Sequence, residues 1–333
     1  MKKLAILLSV CVLIFSAVSC GKGAGAKTKL IVYTSLKESL MSAIKEDFAR
    51  KYPNIDIDYQ SAGAGKLMAK IAAERESGTI TANVIWTSEV PDFYKMKEDK
   101  LLIAYKPNTT GALNPLEQTD DYFVPARLGT LGIVYNTKKV TAVPTEWKDL
   151  FKPVYNDGFA IANPALSGAT YVSVAMLQSV FGDQYFKDLR KNKAKVGQGS
   201  GQVVDDTASG ELVACLGVDY ITFDKVEKGA TIAMAYPKEL LVIPSPIAIL
   251  KDSKGAQLDA SQKFIDYMLT KDAQQIIANT GTLPVREDVS VPEKFRLPTV
   301  QEAMTNGIKI DYIKMIAEKE QRVKSFLEIM QAK

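Results

Sequence analysis

The 333-residue chain contains no histidine, and only three of its residues are cysteine. Without an imidazole there is no Ser-His-Asp hydrolase, and the zinc, nickel and copper sites that usually recruit histidine are disfavoured. Ferric iron stays open, because that hard cation suits phenolate and carboxylate oxygens. Nucleotide motifs are lacking too. Ser61-Ala62-Gly63-Ala64-Gly65-Lys66-Leu67 does not have the spacing of a phosphate loop, and Leu67 stands where Ser or Thr would hold magnesium. Gly197-Gln198-Gly199-Ser200-Gly201 fits neither a dinucleotide fingerprint nor a nucleophile elbow. Both clusters read as turns with close backbone approach. The adjacent carboxylates Asp205 and Asp206 would point to opposite faces of a strand, or diverge by about 100° on a helix. Hydrolase and metallopeptidase readings are therefore weak.

Beyond Val18 no apolar run reaches membrane-spanning length. The start of the chain is different: Lys2-Lys3, an apolar stretch from Leu4 to Val18 broken by Ser9 and Ser16, then Ser19-Cys20-Gly21. That order describes a secretory signal peptide. The AVSC segment resembles the lipobox of bacterial lipoproteins, with Ala17 in place of the usual leucine, which implies a signal over 1–19 and a lipid on Cys20. GKGAGAKTK then reads as a flexible tether, over 20–29 with Cys20. Cys11 would leave with the signal and Cys20 would be acylated, so Cys215 has no partner for a disulfide and reads as a small core residue. The formal charge is +4, and without Lys2 and Lys3 it moves closer to zero. Such a balance predicts no nucleic-acid partner.

From Leu30 onward strands alternate with helices. Leu30–Tyr33, Ile55–Tyr59 and Asn83–Trp86 read as strands, followed by helices over about Lys37–Tyr52, Lys66–Arg75 and Val90–Glu98. Three such units imply a parallel sheet with right-handed crossovers. Thr34-Ser35, Ser61 with Gly63, and Thr87-Ser88 stand where strand gives way to helix, a ready site for an anion. Simple helix capping explains any one of them equally. Lys106–Asp121 reads as loop, Leu131–Tyr135 and Phe159–Ala162 as strands, and Thr170–Asn192 as a long helix. Leu241–Leu250 carries Pro244 and Pro246, which demote it from a central strand and suit a crossover. Helices follow over about 258–270, 271–279 and 299–332, the last interrupted. Such length exceeds the usual single core and favours two lobes.

The organising stretch is Glu211–Pro237. Leu212–Val218 suits a strand buried on both faces, Ile221–Lys228 a short helix, and Ala230–Ala235 the next strand. Asp219-Tyr220 and Tyr236 then stand at strand ends, where open α/β sheets place their ligands. Ordinary strand-end aromatics half buried under loops would look the same.

Taken together, LIVYTSLKESLMSAIKEDFARKYPNIDIDY, AKIAAERESGTITANVIWTSE, RLGTLGIVYNT, PTEWKDLFKP, VACLGVDY with AMAYPKE, and FIDYMLTKDAQQIIANTGTLPVRED resemble the extracellular solute-binding proteins of ABC importers. The branch is the one that includes binders of ferric iron and of phosphorylated or phosphonate solutes. The resemblance implies an α/β, two-lobed periplasmic-binding-protein fold joined by crossover strands. Lobe one would comprise 30–126 with about 245–285, and lobe two 127–244 with about 286–333. It also implies a monomeric receptor in the bacterial envelope that closes on a small ligand and meets a permease and its ATPase. Ferric iron is the first expected cargo, held by Tyr33, Tyr220 and Tyr236; no resident cofactor is expected. Iron binders of the family typically have paired tyrosines where this chain has Asp219-Tyr220, and often a histidine where it has Ser35-Leu36-Lys37. The alternative cargo is a phosphorylated or phosphonate solute on Thr34, Ser35, Ser61, Gly63, Thr87, Ser88 and Arg127, with Asp219 taking a hydroxyl or amine. A phosphoester-processing enzyme is the remaining alternative.

Overall fold

The computed structural model describes residues 27–113 and 121–331. The expected signal peptide, Cys20 and all but the last residues of the tether lie outside the described residues. Strands β1 (Thr28–Thr34), β2 (Ile55–Ser61) and β3 (Val84–Trp86) pair in parallel, with β1 between the other two. Helices α1 (Glu38–Lys51), α2 (Ala64–Glu76) and α3 (Val90–Glu98) connect them. The apolar spacing explains α1: Leu40, Met41, Ile44 and Phe48 lie on one face and are all buried.

After β4 (Leu102–Ile103) the chain crosses on β5 (Val124–Asn136) into a second lobe. There β6 (Phe159–Ala162), β7 (Lys195–Gly197), β8 (Ala214–Val218) and β9 (Ile232–Ala235) are joined by α4 (Gly168–Lys191), α5 (Ser200–Ser209) and α6 (Asp219–Glu227). It returns on β10 (Leu241–Leu250). The sheet runs β2-β1-β3-β10-β5-β8-β6-β7, with β4 against β10 and β9 against β5. Helices α7 (Gly255–Met268) and α8 (Lys271–Asn279) then pack on β1 and α1, and α9 (Val300–Asn306) and α10 (Tyr312–Gln331) end the chain. Helix α10 lies against both α4 and α3, so it touches both lobes.

Three differences from the sequence expectation have physical causes. The strand expected over Leu131–Tyr135 begins at Val124, because its first half pairs with β10 and its second half with β8 and β9. Strand β10 is central despite its two prolines. The register shifts between Pro244 and Pro246, and Ser245 between them is tied down by other means. Trp86 Nε1 donates to the Ser245 carbonyl at 3.2 Å, and the Ser245 hydroxyl donates to the Thr87 carbonyl at 3.0 Å. A bulge is one of the few places where a sheet interior tolerates proline. Finally, the glycine cluster 197–201 is more than a turn: Gly197 closes β7 and Gly199 caps α5. Asp205 and Asp206 therefore sit on a helix and diverge.

Candidate functional site

A cleft of about 550 Å³ opens between the lobes. The first lobe lines it with Ser35, Lys37, Ser61, Gly63, Lys66 and Ser88, and the second with Ser167, Gly168, Gly199, Ser200, Gln202, Asp205 and Tyr220. Arg127, on the crossing strand β5, completes the lining. Five of the described helices begin at this wall: α1 with Lys37 as cap, α2 with Gly63, α4 with Ser167, α5 with Gly199 and α6 with Val218. The first turn of a helix has N–H groups with no partner inside the helix, and its dipole favours negative charge there. Ser167 and Ser200 bind the starts of α4 and α5 together, with their hydroxyl oxygens 2.7 Å apart. The Ser167 oxygen also accepts from Thr170 N at 3.3 Å.

Arg127 is 1% exposed. Its Nη1 donates to Thr282 Oγ1 at 2.6 Å and its Nη2 to Ser88 Oγ at 3.3 Å, while its guanidinium carbon lies 4.9 Å from the centre of the Tyr220 ring. Nη1 is also 3.5 Å from Asp219 Oδ1. The Nε proton has no hydrogen-bond partner among the described residues. A guanidinium on a wall of helix starts is suited to an anion.

Of the residues expected from the sequence, Ser35, Ser61, Gly63, Ser88, Arg127 and Tyr220 come together in the lining. Ser61 already donates its hydroxyl to the Leu36 carbonyl at 2.6 Å. The other five do not line it. Thr34 is buried and accepts from Leu36 N at 3.1 Å. Thr87 is buried, with its hydroxyl unpartnered among the described residues. Asp219 is 0% exposed and its carboxylate is occupied by protein donors: Thr130 N at 2.8 Å, Thr282 Oγ1 at 2.6 Å and Tyr220 N at 2.7 Å. Burial raises its pKa, opposed by Arg127 and these hydrogen bonds. Tyr33 packs in a separate apolar cluster with Ile85 and Phe93 and donates to Glu74 Oε1 at 2.6 Å. Tyr236 is half-buried, 3.1 Å from Thr130 Oγ1, with its hydroxyl also directed at Met234 Sδ at 3.2 Å.

Tyr220 is the phenol that reaches the cleft. Burial pushes its pKa up to about 12, although Arg127 beside it pulls the other way. Its oxygen accepts from Lys37 N at 3.0 Å, which links the two lobes directly. Sequence reasoning missed Lys37, Lys66, Ser167, Ser200, Gln202 and Asp205. Reading the turns at 163–168 and 197–201 as helix starts would have exposed most of them.

Two α/β lobes, crossed by two strands and closed around a polar cleft, define a solute-binding protein. The chain belongs to the bacterial extracellular solute-binding proteins, whose family model matches residues 81–315. A putative 2-aminoethylphosphonate-binding periplasmic protein of Salmonella typhimurium is 23% identical over 261 residues, covering 74% of each chain. Among solved structures, AfuA from Actinobacillus pleuropneumoniae with fructose-6-phosphate bound superposes with a TM-score of 0.75 at 21% identity, covering 92% of this chain and 100% of that one. Iron-bound HitA from Pseudomonas aeruginosa gives 0.74 at 20% identity, covering 91% and 99%. These structures share the two-lobed fold. No described helix is long and apolar enough to cross a membrane.

Proposed function

We propose that this chain is the receptor of an ABC importer and captures a small solute bearing a phosphate or phosphonate group, which it delivers to a permease and its ATPase. The observation that carries this is the convergence of several helix N-termini, those of α2, α4 and α5 among them, and of the Arg127 guanidinium on one cleft. Lys37 and Lys66 add positive charge at the rim. The names of the Salmonella relative and the Actinobacillus structure point the same way. In this reading Asp205 and Gln202 replace Asp219 as the groups available to a hydroxyl or amine on the solute. The proposal includes a lipid on Cys20 that holds the receptor at the cell envelope.

Ferric iron is the second reading, favoured by the likeness to iron-bound HitA and by Tyr220 in the cleft. It is placed second because ferric coordination wants several anionic oxygens, and the cleft offers one phenol, beneath a guanidinium, and one carboxylate, Asp205. Among the described residues no group of three or more Asp, Glu, Cys and His gathers for a metal.

Thermal shift and calorimetry on the mature protein, with 2-aminoethylphosphonate, fructose 6-phosphate and ferric citrate in turn, test the reading. A phosphorylated or phosphonate probe should stabilise the protein, and Arg127→Met should abolish that gain. Stabilisation by ferric citrate with a tyrosinate-to-iron colour, bleached in Tyr220→Phe, would overturn it in favour of iron.

A further inference from the structure

The lobes meet along a seam of glycines whose conformations do not explain them. Gly63 has φ −57°, an ordinary value for any residue. Gly65 lies in the first turn of α2, where alanine is the better helix former. What these positions lack is room. A Cβ on Gly63 would stand 2.6 Å from the Leu166 carbonyl oxygen, and one on Gly65 would stand 2.9 Å from that of Ala165. A Cβ on Gly168 would meet Glu89 Oε2 at 2.6 Å and Ala64 Cβ at 3.2 Å. In each case the obstructing atom belongs to the opposite lobe. At Gly63 and Gly65 it is backbone, which cannot rotate aside as a side chain can.

We propose that Gly63, Gly65 and Gly168 are the seats of closure: their missing side chains let the turn before α4 dock on the first turn of α2 and on Glu89, so that the cleft can shut. The proposal rests on the reading of this cleft as a solute site. The docked turn brings α2 and α4, two of the helix starts at the cleft, into contact range. An alanine at Gly65 would fit an open receptor and obstruct a shut one. Its effect is therefore conformational, and it should leave the fold of each lobe intact.

The test attaches a fluorophore pair to the two lobes, at Lys100→Cys and Lys191→Cys, both exposed, with native Cys215 buried and protected. Single-molecule transfer efficiency then reports the closed population, first without ligand and then with 2-aminoethylphosphonate, fructose 6-phosphate or ferric citrate. The parent protein should populate the closed distance of this structure, and Gly65→Ala and Gly63→Ala should lose it under every condition. Melting temperature should not fall in Gly65→Ala, and any probe bound by the parent should bind at least tenfold more weakly. A closed population in Gly65→Ala equal to the parent's overturns the proposal. So does a parent that never reaches the closed distance, or a large loss of melting temperature in both variants, which would assign the glycines to the fold. If no probe binds the parent, the anion reading fails, while the distance comparison still decides the seam.

Discussion

Asp219 and Arg127 form a buried pair at the back of the cleft, and replacing Asp219 by Asn tests how the pair is held. Neither residue can relax into water, with exposures of 0% and 1%. Asn preserves volume and an acceptor, but removes the negative charge that compensates Arg127. Leaving a buried charge without its partner costs about 3–5 kcal/mol. For a chain of this size each kcal/mol moves the melting temperature by about 2 °C, so a fall of roughly 6–10 °C is expected. Chemical denaturation should show the same loss at unchanged m-value. The double variant Asp219→Asn with Arg127→Met should recover part of the loss, because exchanging a whole buried pair for less polar side chains is often close to neutral. A single-variant loss below about 1 kcal/mol, or a double variant worse than the sum of the two single ones, would refute the reasoning.

Two further perturbations follow from the backbone and from charge. Gly182 kinks α4 with φ 67° and ψ −179°, a region open essentially to glycine. Nothing lies within 4 Å of a Cβ placed there, so Gly182→Ala should cost about 1–3 kcal/mol from backbone strain alone, read as a lower denaturant midpoint. Glu89 is buried between Asp92 and Lys319, and burial, then the Asp92 charge, pushes its pKa up to about 7 against the pull of Lys319. Because its pKa is higher in the folded state than the unfolded value of about 4.3, folding takes up a proton as pH falls through this window. Glu89 therefore opposes folding above pH 7 and does so less as the pH drops toward 4.5. Denaturation midpoints compared at pH 8 and pH 5 should show a smaller difference in Glu89→Gln than in the parent.

The first lobe was legible because its helices bury one stripe and its strands are short, apolar or alternating, and run into Thr or Ser. Val90–Glu98 is helical at the residues its pattern indicates, with Pro91 in the first turn. The second lobe was harder for reasons of context. Nothing local in Val124–Leu128 tells that it will be buried between β10 and the segment after α8, where Leu128 N donates to the Leu283 carbonyl at 2.9 Å. Lys195–Gly197 is a strand of three residues, set by pairing with β6 more than by its own composition. The kink at Gly182 was invisible because a single glycine inside a helical pattern is usually tolerated.

The site teaches a finer lesson about adjacent residues. In each of the pairs Thr34-Ser35, Thr87-Ser88 and Asp219-Tyr220, the second residue lines the cleft and the first is buried behind it. Thr34 ends β1, and successive side chains leaving a strand point to opposite sides; Asp219 and Tyr220 open α6, where neighbours diverge by about 100°; Thr87 and Ser88 follow β3 in the turn before α3. Composition cannot say which member faces inward; the register of the strand does. β1 places Val32 in the main core and Thr34 on the same side, which leaves Ser35 to turn outward. Asp219, the first residue of α6, is drawn inward to Thr130 and Thr282, while Tyr220 behind it is left with Arg127 and Lys37 N. Asp219 holds the crossing strand β5 through Thr130, Thr87 is tied to β10 through its backbone, and Thr34 holds the turn at Leu36, while the second member of each pair is the one the proposed solute would meet. Substitutions at the first members should therefore register in stability before they register in binding, and those at the second members in the reverse order.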